Sequence, residues 1–117
     1  MIASLDGIVA EIRGDSVVIV VGGVGLHVFA PTGTIVSLRG IGQRARLHTH
    51  LHFAQDAMAL YGFATSEELR LFKLLLEVSG VGPKNGLRML STLSPKQLAG
   101  AIASGDEAAL SRTPGIG

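Results

Sequence analysis

Two glycine-rich segments of the chain have the residue types and the spacing of a phosphate-binding turn. Residues 78–84 read Val-Ser-Gly-Val-Gly-Pro-Lys, and residues 112–117 read Arg-Thr-Pro-Gly-Ile-Gly. Glycine adopts positive φ easily and, having no Cβ, lets the backbone approach a ligand closely. Where such a turn leads into a helix, the free amides and the dipole of the helix start attract an anion. The pattern predicts two turns that grip phosphate groups, each within a helix-hairpin-helix element.

The first segment carries the fuller set of residues for this role. Val81 lies between the two glycines and is expected to anchor the turn in the core, while Pro83 suits the first position of the following helix. Lys84 adds a cation, and Arg88 follows it on the same helix face. The residues predicted to contact phosphate are Ser79, Gly80, Val81, Gly82, Lys84, Pro114, Gly115, Ile116 and Gly117, with Arg88 as a further cation.

A plain turn between two helices would use the same residue types, since Gly and Pro punctuate many such connections. Repetition of the pattern at the chain end favours phosphate binding over turn chemistry alone. For Arg88, a solvated helix face remains an equal alternative. A dinucleotide fingerprint would follow a strand, and no Gly-Lys-Ser/Thr sequence occurs in the chain. We therefore predict no nucleotide site and no cofactor.

Three histidines, His48, His50 and His52, alternate with other residues and so share one face of a predicted strand. Neighbours on such a face lie about 7 Å apart, a spacing that a shared metal ion or an anion could bridge. An exposed or interface-covered strand face explains the pattern with fewer assumptions, and no carboxylate is adjacent in sequence. We predict no metal site and keep these three histidines as the candidates for one.

The first half of the chain is rich in Val and Ile and is interrupted by glycine, which is typical of short strands. The predicted strands are residues 2–12, 16–21, 24–30, 44–53 and 58–63, with a short helix or an irregular crossing between the third and the fourth. One face of the fourth strand, predicted to be core, comprises Ala45, Leu47, Thr49, Leu51 and Phe53. Its other face comprises Arg44, Arg46 and the three histidines. Five strands with one interruption indicate a small Greek-key barrel of the oligonucleotide/oligosaccharide-binding (OB) type.

From Thr65 onward the periodicity is helical. Thr65 and Glu68 fit a capping box that opens a helix whose inward residues are Leu69, Phe72, Leu75, Leu76 and Val78. Ser94 and Gln97 open a second helix in the same way, and Asp106 with Glu107 would open a third. The predicted fold class is α+β. A five-stranded OB barrel over residues 1–64 precedes an all-α domain over residues 65–117 with two helix-hairpin-helix motifs, the second of them incomplete.

Composition narrows the function without deciding it. Charged residues make up 16% of the chain and hydrophobic ones 47%, which is the composition of a folded protein. The formal net charge is only +1, so binding of a polyanion would need placed contacts or oligomerisation. There is no cysteine, no signal-peptide pattern and no apolar run long enough for a bilayer. We expect a cytoplasmic protein that does not contact the membrane.

The combined pattern resembles the RuvA family, the DNA-binding subunits of bacterial Holliday junction branch-migration complexes. The resemblance covers the whole chain. It rests on residues 1–2, 22–25, 60–63, 71–72, 80–84 and 114–117. Leu-Tyr-Gly-Phe followed at this interval by Gly-Val-Gly-Pro-Lys is its specific part, because single helix-hairpin-helix motifs occur in many DNA-binding proteins.

The resemblance implies a non-enzymatic subunit that binds four-way (Holliday) junctions in recombination, DNA repair and the SOS response to DNA damage. It implies a homotetramer, or an octamer of two tetramers, whose hairpin amides contact phosphates without reading bases. The implied partners are junction DNA, the hexameric AAA+ motor ATPase RuvB and the junction resolvase RuvC.

The resemblance also implies an acidic pin, a hairpin turn at the junction centre where the family usually has two acidic residues. The matching turn is Gln55-Asp56, so Asp56 is the expected pin residue and Gln55 is a departure that halves the charge per subunit. Family members continue past the second hairpin to a third domain that engages the ATPase. Because the chain stops at Gly117, we expect a fragment without motor coupling.

Two other functions remain open from the residues alone. A helix-hairpin-helix glycosylase or nuclease would need a catalytic Asp or Lys after the hairpin. The other candidates there, Lys96, Asp106 and Glu107, all fall at helix starts, where capping and dipole roles explain them. A barrel-based interaction module would use the histidine face.

Overall fold

The computed structural model describes residues 1–104, which form five strands and four helices. The elements are β1 (Ser4–Ile12), β2 (Ser16–Val21), β3 (Val24–Phe29), α1 (Thr32–Ser37), β4 (Arg44–Ala54), β5 (Ala57–Phe63), α2 (Ser66–Leu76), α3 (Pro83–Thr92) and α4 (Pro95–Ser104). The predicted strands are confirmed to within two residues at their ends, and the interruption between the third and the fourth is α1. The helix start predicted at Asp106 and Glu107 lies outside the described residues.

The five strands close into a barrel in the order β1-β2-β3-β5-β4. β1 pairs antiparallel with β4 through its first half and with β2 through its second half, so this one strand closes the barrel. β3 and β5 pair in parallel, and β4 and β5 form an antiparallel hairpin. The predicted five-stranded OB barrel followed by helices is confirmed.

A glycine in β1 permits the closure of the barrel. Gly7 lies between the buried residues Leu5 and Val9, at the place where β1 leaves β4 and joins β2. A Cβ at this position would collide with the carbonyl oxygen of Val20, which belongs to the backbone and cannot rotate away. Only glycine therefore lets the two strands approach this closely.

The prediction that Phe53 faces the core is wrong. Phe53 is 70% exposed, because β4 runs beyond the barrel into the β4–β5 hairpin, where Phe53 pairs with Met58, which is also exposed. Leu47 and Thr49, on the same face, are buried, and the Thr49 hydroxyl donates to the Ile2 carbonyl at 2.7 Å. The alternation identified the face of the strand but not the point at which the strand leaves the core.

The chain divides into two compact units, of which the first is Met1–Leu69 and the second begins at Arg70. The domain boundary near Ala64 stays a prediction. At the start of α2 the Thr65 hydroxyl accepts the N–H of Glu68 at 3.2 Å, which confirms Thr65 as the capping residue. The Glu68 carboxylate accepts the Thr65 hydroxyl at 3.1 Å, where a complete capping box would have it accept the Thr65 backbone N–H.

The buried face of α2 differs slightly from the predicted one. Phe72 and Leu75 are buried as predicted, and Leu71, which was not predicted, is buried with them. The remaining members of the predicted face, Leu69, Leu76 and Val78, are half-buried. No helix within residues 1–104 is both long enough and apolar enough to cross a membrane.

Candidate phosphate-binding site

The first glycine segment forms the turn between α2 and α3. The N–H of Val78 donates to the Leu75 carbonyl at 3.0 Å, which ends the helical path, and the Val78 carbonyl accepts the N–H of Val81 at 3.1 Å. Gly80 lies at φ +83°, a left-handed conformation that favours glycine. Val81 is half-buried, as expected of a residue that anchors the turn. Residues 78–84 thus form a helix-hairpin-helix turn.

A second glycine determines how closely α3 packs on α2. Gly86 is buried in α3, and a Cβ there would lie 3.1 Å from Cε1 of Phe72. Phe72 is itself fully buried in α2. Gly86 thus lets the first half of α3 pack closely against the Phe72 ring of α2.

The N-terminus of α3 has no side-chain cap. Gly82 is the N-cap residue, at φ −92° and ψ 176°, and its carbonyl accepts the N–H of Gly86 at 2.9 Å. Pro83 has no N–H, so the amides of Lys84 and Asn85 are the ones left without an acceptor in the helix. The first turn contains no acidic residue. These two amides and the positive end of the helix dipole are therefore available to an external anion.

The helices before and after α3 begin differently. The start of α2 is capped by the Thr65 hydroxyl and has two acidic residues, Glu67 and Glu68, in the first turn. At the start of α4 the Ser94 hydroxyl accepts the N–H of Gln97 at 3.1 Å, and the Gln97 side chain accepts the N–H of Ser94 at 2.9 Å. The short helix α1 is also uncapped, but it contains no lysine or arginine. Within residues 1–104, only α3 combines open amides with an adjacent cation.

Lys84 and Arg88 are both exposed and lie one turn apart on α3. Neither forms an ion pair with another residue of the described part of the chain. The structure thus brings the predicted residues Ser79, Gly80, Val81, Gly82 and Lys84 together around one helix start. The other predicted phosphate contacts, Pro114, Gly115, Ile116 and Gly117, lie outside the described residues.

Gln55 and Asp56 form the two-residue turn of the β4–β5 hairpin and are exposed. Gln55 lies at φ +51°, a conformation that hairpin turns usually give to Gly, Asn or Asp. The exposed apolar residues Phe53 and Met58 form the second cross-strand pair before the turn. Asp56 therefore sits at the tip of a protruding hairpin.

On the predicted basic face of β4, Arg44 forms an ion pair with Asp6 of β1. Arg44 donates to both carboxylate oxygens of Asp6, at 2.8 and 3.1 Å, and this hydrogen-bonded pair holds the pKa of Asp6 below its usual value. Because the folded-state pKa is lowered, any stability from the pair is present above the unfolded pKa of Asp6 and is lost as the pH falls through the lowered one. Both side chains are exposed, so screening by solvent keeps that contribution small.

The histidines of β4 do not form a metal site with the described residues. The ring centroids of His50 and His52 are 6.0 Å apart, and no group of three or more His, Cys, Asp or Glu side chains within residues 1–104 could hold a metal ion. The ring of His52 lies instead 6.3 Å from that of Tyr61. Sequence reasoning missed this ring contact, because it depends on the pairing of β4 with β5.

Two family models match the chain. The family model described as RuvA N terminal domain matches residues 1–62, which is more than half of the chain. The chain belongs to the RuvA family. A second family model, described as SAM-like Helix-hairpin-helix tandem, matches residues 72–117 and so includes the turn of residues 78–84. The resemblance to RuvA that the sequence predicted is confirmed.

Curated RuvA proteins match the chain along its full length. The Holliday junction branch migration complex subunit RuvA of Dehalococcoides mccartyi is 50% identical over 117 residues, and those of Salinispora arenicola and Herpetosiphon aurantiacus are 49% and 48% identical. These alignments cover 100% of the chain and 60%, 58% and 59% of the three RuvA proteins. The chain thus spans less than two thirds of the length of the relatives it matches.

Proposed function

We propose that the chain is the junction-binding part of a RuvA subunit. It is a non-enzymatic module that binds four-way DNA junctions and supports branch migration by a partner ATPase in recombination and repair. The observation that carries this proposal is the open N-terminus of α3 at Gly82, followed by Lys84, in a member of the RuvA family. Because amides and a lysine contact phosphates rather than base edges, binding depends on DNA structure and not on sequence.

The names of the relatives indicate which partners the chain has. These are subunits of the Holliday junction branch migration complex, so we infer that junction DNA is the ligand and that a motor ATPase of the RuvB kind is the partner. We extend the proposal to a homotetramer or octamer, to cooperation with the resolvase RuvC and to a cytoplasmic location. The net charge of +1 supports the oligomer, since one subunit has little excess positive charge with which to hold a polyanion.

We also propose that the second glycine segment binds DNA phosphates. Pro114, Gly115, Ile116 and Gly117 repeat the glycine spacing of the first turn, and they fall within the match to the helix-hairpin-helix tandem. With a barrel over residues 1–64 and a helical domain over residues 65–117, the helical domain would contain two phosphate-binding turns.

The function is tested by titrating a synthetic four-way junction and a linear duplex with the same arm sequence. We expect tighter binding of the junction and a linear fall of log affinity with log salt concentration, because each phosphate contact releases counterions. The measurement is a gel shift or fluorescence anisotropy across a salt series. Equal affinity for the two DNA forms at every salt concentration would contradict the proposal.

Lys84→Ala should weaken junction binding evenly across sequences and reduce the salt slope by about 0.9 for each lysine–phosphate contact that the assembly loses. Lys96→Ala is the matched control, because Lys96 also follows a proline at an exposed helix start, but that start is closed by Ser94 and Gln97. Its slope should stay at the wild-type value. An unchanged slope for Lys84→Ala would remove Lys84 from the phosphate site.

Asp56 is proposed as the acidic pin, on the grounds that it is exposed at the tip of the β4–β5 hairpin. Gln55→Glu adds a second carboxylate there and should weaken junction affinity by about two- to fivefold at low salt, since the turn then repels phosphates more strongly. The loss should shrink as salt is added. Gln55→Asn is the matched control, because it keeps the charge and tolerates positive φ. Equal affinities of the two variants would show that the turn does not face DNA.

A further inference from the structure

Five rings form a continuous strip across three neighbouring strands of the barrel. In spatial order they belong to His27 and Phe29 of β3, Tyr61 of β5, and His52 and His50 of β4. Consecutive ring centroids are 4.8, 5.8, 6.3 and 6.0 Å apart. The strand register accounts for the arrangement, since Tyr61 lies between Phe29 on one side and His50 on the other. We call these residues the aromatic strip.

The aromatic strip lies on the outer face of the sheet. Its members alternate with core residues, as Val28 lies between His27 and Phe29, and Leu60 precedes Tyr61. Tyr61 is only 6% exposed, and burial raises the pKa of its hydroxyl. His27 is exposed, and the other three members of the strip are half-buried. Tyr61 thus forms the buried middle of the strip, and the rings on either side of it reach solvent.

The charges on these three strands all have one sign. β3, β4 and β5 contain two arginines and four histidines but no Asp or Glu. The acidic residues of the barrel strands, Asp6 and Glu11, are both on β1. Asp6 pairs with Arg44 at the edge of this face, while the strands that carry the rings contribute no carboxylate. Partly exposed rings with arginines on a neighbouring part of the same face are complementary to a nucleic-acid strand, whose bases stack on rings while its phosphates lie near cations.

We propose that the aromatic strip is a stacking platform for single-stranded DNA. Its ring spacing of 4.8 to 6.3 Å exceeds the distance of about 3.4 Å between stacked bases along a duplex strand. The splayed bases of a single strand can match this spacing, whereas the bases of a duplex cannot. OB barrels bind oligonucleotides on a face that includes their third strand, and here that strand supplies His27 and Phe29. The residues of the aromatic strip are different from those of the α3 turn, so the proposal does not depend on junction binding.

The chain itself contains the reporter for this site. It has one tyrosine and no tryptophan, so its intrinsic emission comes from Tyr61, in the middle of the strip. Titration with an oligothymidine of about 12 nucleotides, which is within the site size of an OB barrel, should quench that emission. Free tyrosine amide, titrated in parallel, corrects for the inner-filter effect. An absence of quenching at oligonucleotide concentrations well above those that hold a junction would overturn the proposal.

Substitutions then locate the binding. His27→Ala removes an exposed ring and should weaken oligothymidine binding about tenfold, as should His52→Ala. Phe53→Ala is the matched control: Phe53 is an exposed aromatic residue of β4 on the opposite face, and its removal should leave this affinity unchanged. Thermal unfolding establishes that each variant is folded.

Two further results would overturn the proposal. If Lys84→Ala abolished oligothymidine binding while His27→Ala and His52→Ala did not change it, the oligonucleotide would bind at the start of α3 and not on the aromatic strip. If the histidine variants changed the oligomeric state, measured by light scattering, without changing oligothymidine affinity, the strip would contact a second copy of the chain. The junction affinity of each variant is measured as well. Failure of the proposed junction-binding function can then be distinguished from failure of the proposal for the aromatic strip.

Discussion

Gly82→Asp should remove most of the affinity for junction DNA while making the start of α3 more stable. The new carboxylate would accept hydrogen bonds from the open amides at Lys84 and Asn85 and place a negative charge where a phosphate would bind. The cap and the dipole together should stabilise the fold by a few tenths to about 1 kcal/mol. Removing a charged hydrogen bond to the DNA costs about 1.5 to 3 kcal/mol, so affinity should fall about ten- to hundredfold.

The opposite signs of these two effects separate a binding role from a structural one. Urea unfolding measures the stability and a junction titration measures the affinity. Gly82→Ala is the control: a Cβ at this position meets no atom within 4 Å, and φ −92° suits any residue, so the amides stay open without strain. It should bind far more tightly than Gly82→Asp. Wild-type affinity in Gly82→Asp would exclude the start of α3 from the DNA interface.

Gly7→Ala should destabilise the barrel by about 3 kcal/mol, the upper part of the range for overpacking. The added methyl group would collide with the Val20 carbonyl oxygen and also crowd the side chains of Ile19 and Val21, at 3.0 and 2.9 Å. Since the closest of these atoms belongs to the backbone, relief requires β1 and β2 to move apart. The measurement is the urea midpoint and slope of unfolding.

Gly14→Ala is the control for this prediction. Gly14 lies in the connection between β1 and β2, a Cβ there meets no atom within 4 Å, and its φ is not in the left-handed region. Its stability should stay within about 0.5 kcal/mol of the wild type. Equal destabilisation in the two variants would mean that glycine matters in β1 for its flexibility and not for the space that closure of the barrel requires.

The sequence alone predicted the elements of the fold well, because the signals for them are local. Runs rich in Val and Ile and interrupted by glycine located the strands. The Thr65–Glu68 and Ser94–Gln97 pairs marked two helix starts whose capping hydrogen bonds are present. The candidate site was predicted in the same way. The glycines of the turn, its proline and its lysine are contiguous, so their relative positions depend on a few dihedral angles.

Properties that depend on more distant residues could not be predicted. Phe53 shares the alternation of Leu47 and Thr49, yet it is exposed, since its burial depends on how far the hairpin extends past the barrel. The sequence also did not show that the start of α3 lacks a side-chain cap, whereas the starts of α2 and α4 each have one.

The amino-acid order was therefore sufficient to establish the strands, the helix starts, the glycine turn of residues 78–84 and membership of the RuvA family. These depend on short-range periodicity, on capping and on the conformational freedom of glycine. The folded arrangement was needed to show that Gly7 closes the barrel and that the rings of three strands meet around Tyr61. Both results arise from strand register and curvature, which join residues far apart in the chain and leave no local pattern in the sequence.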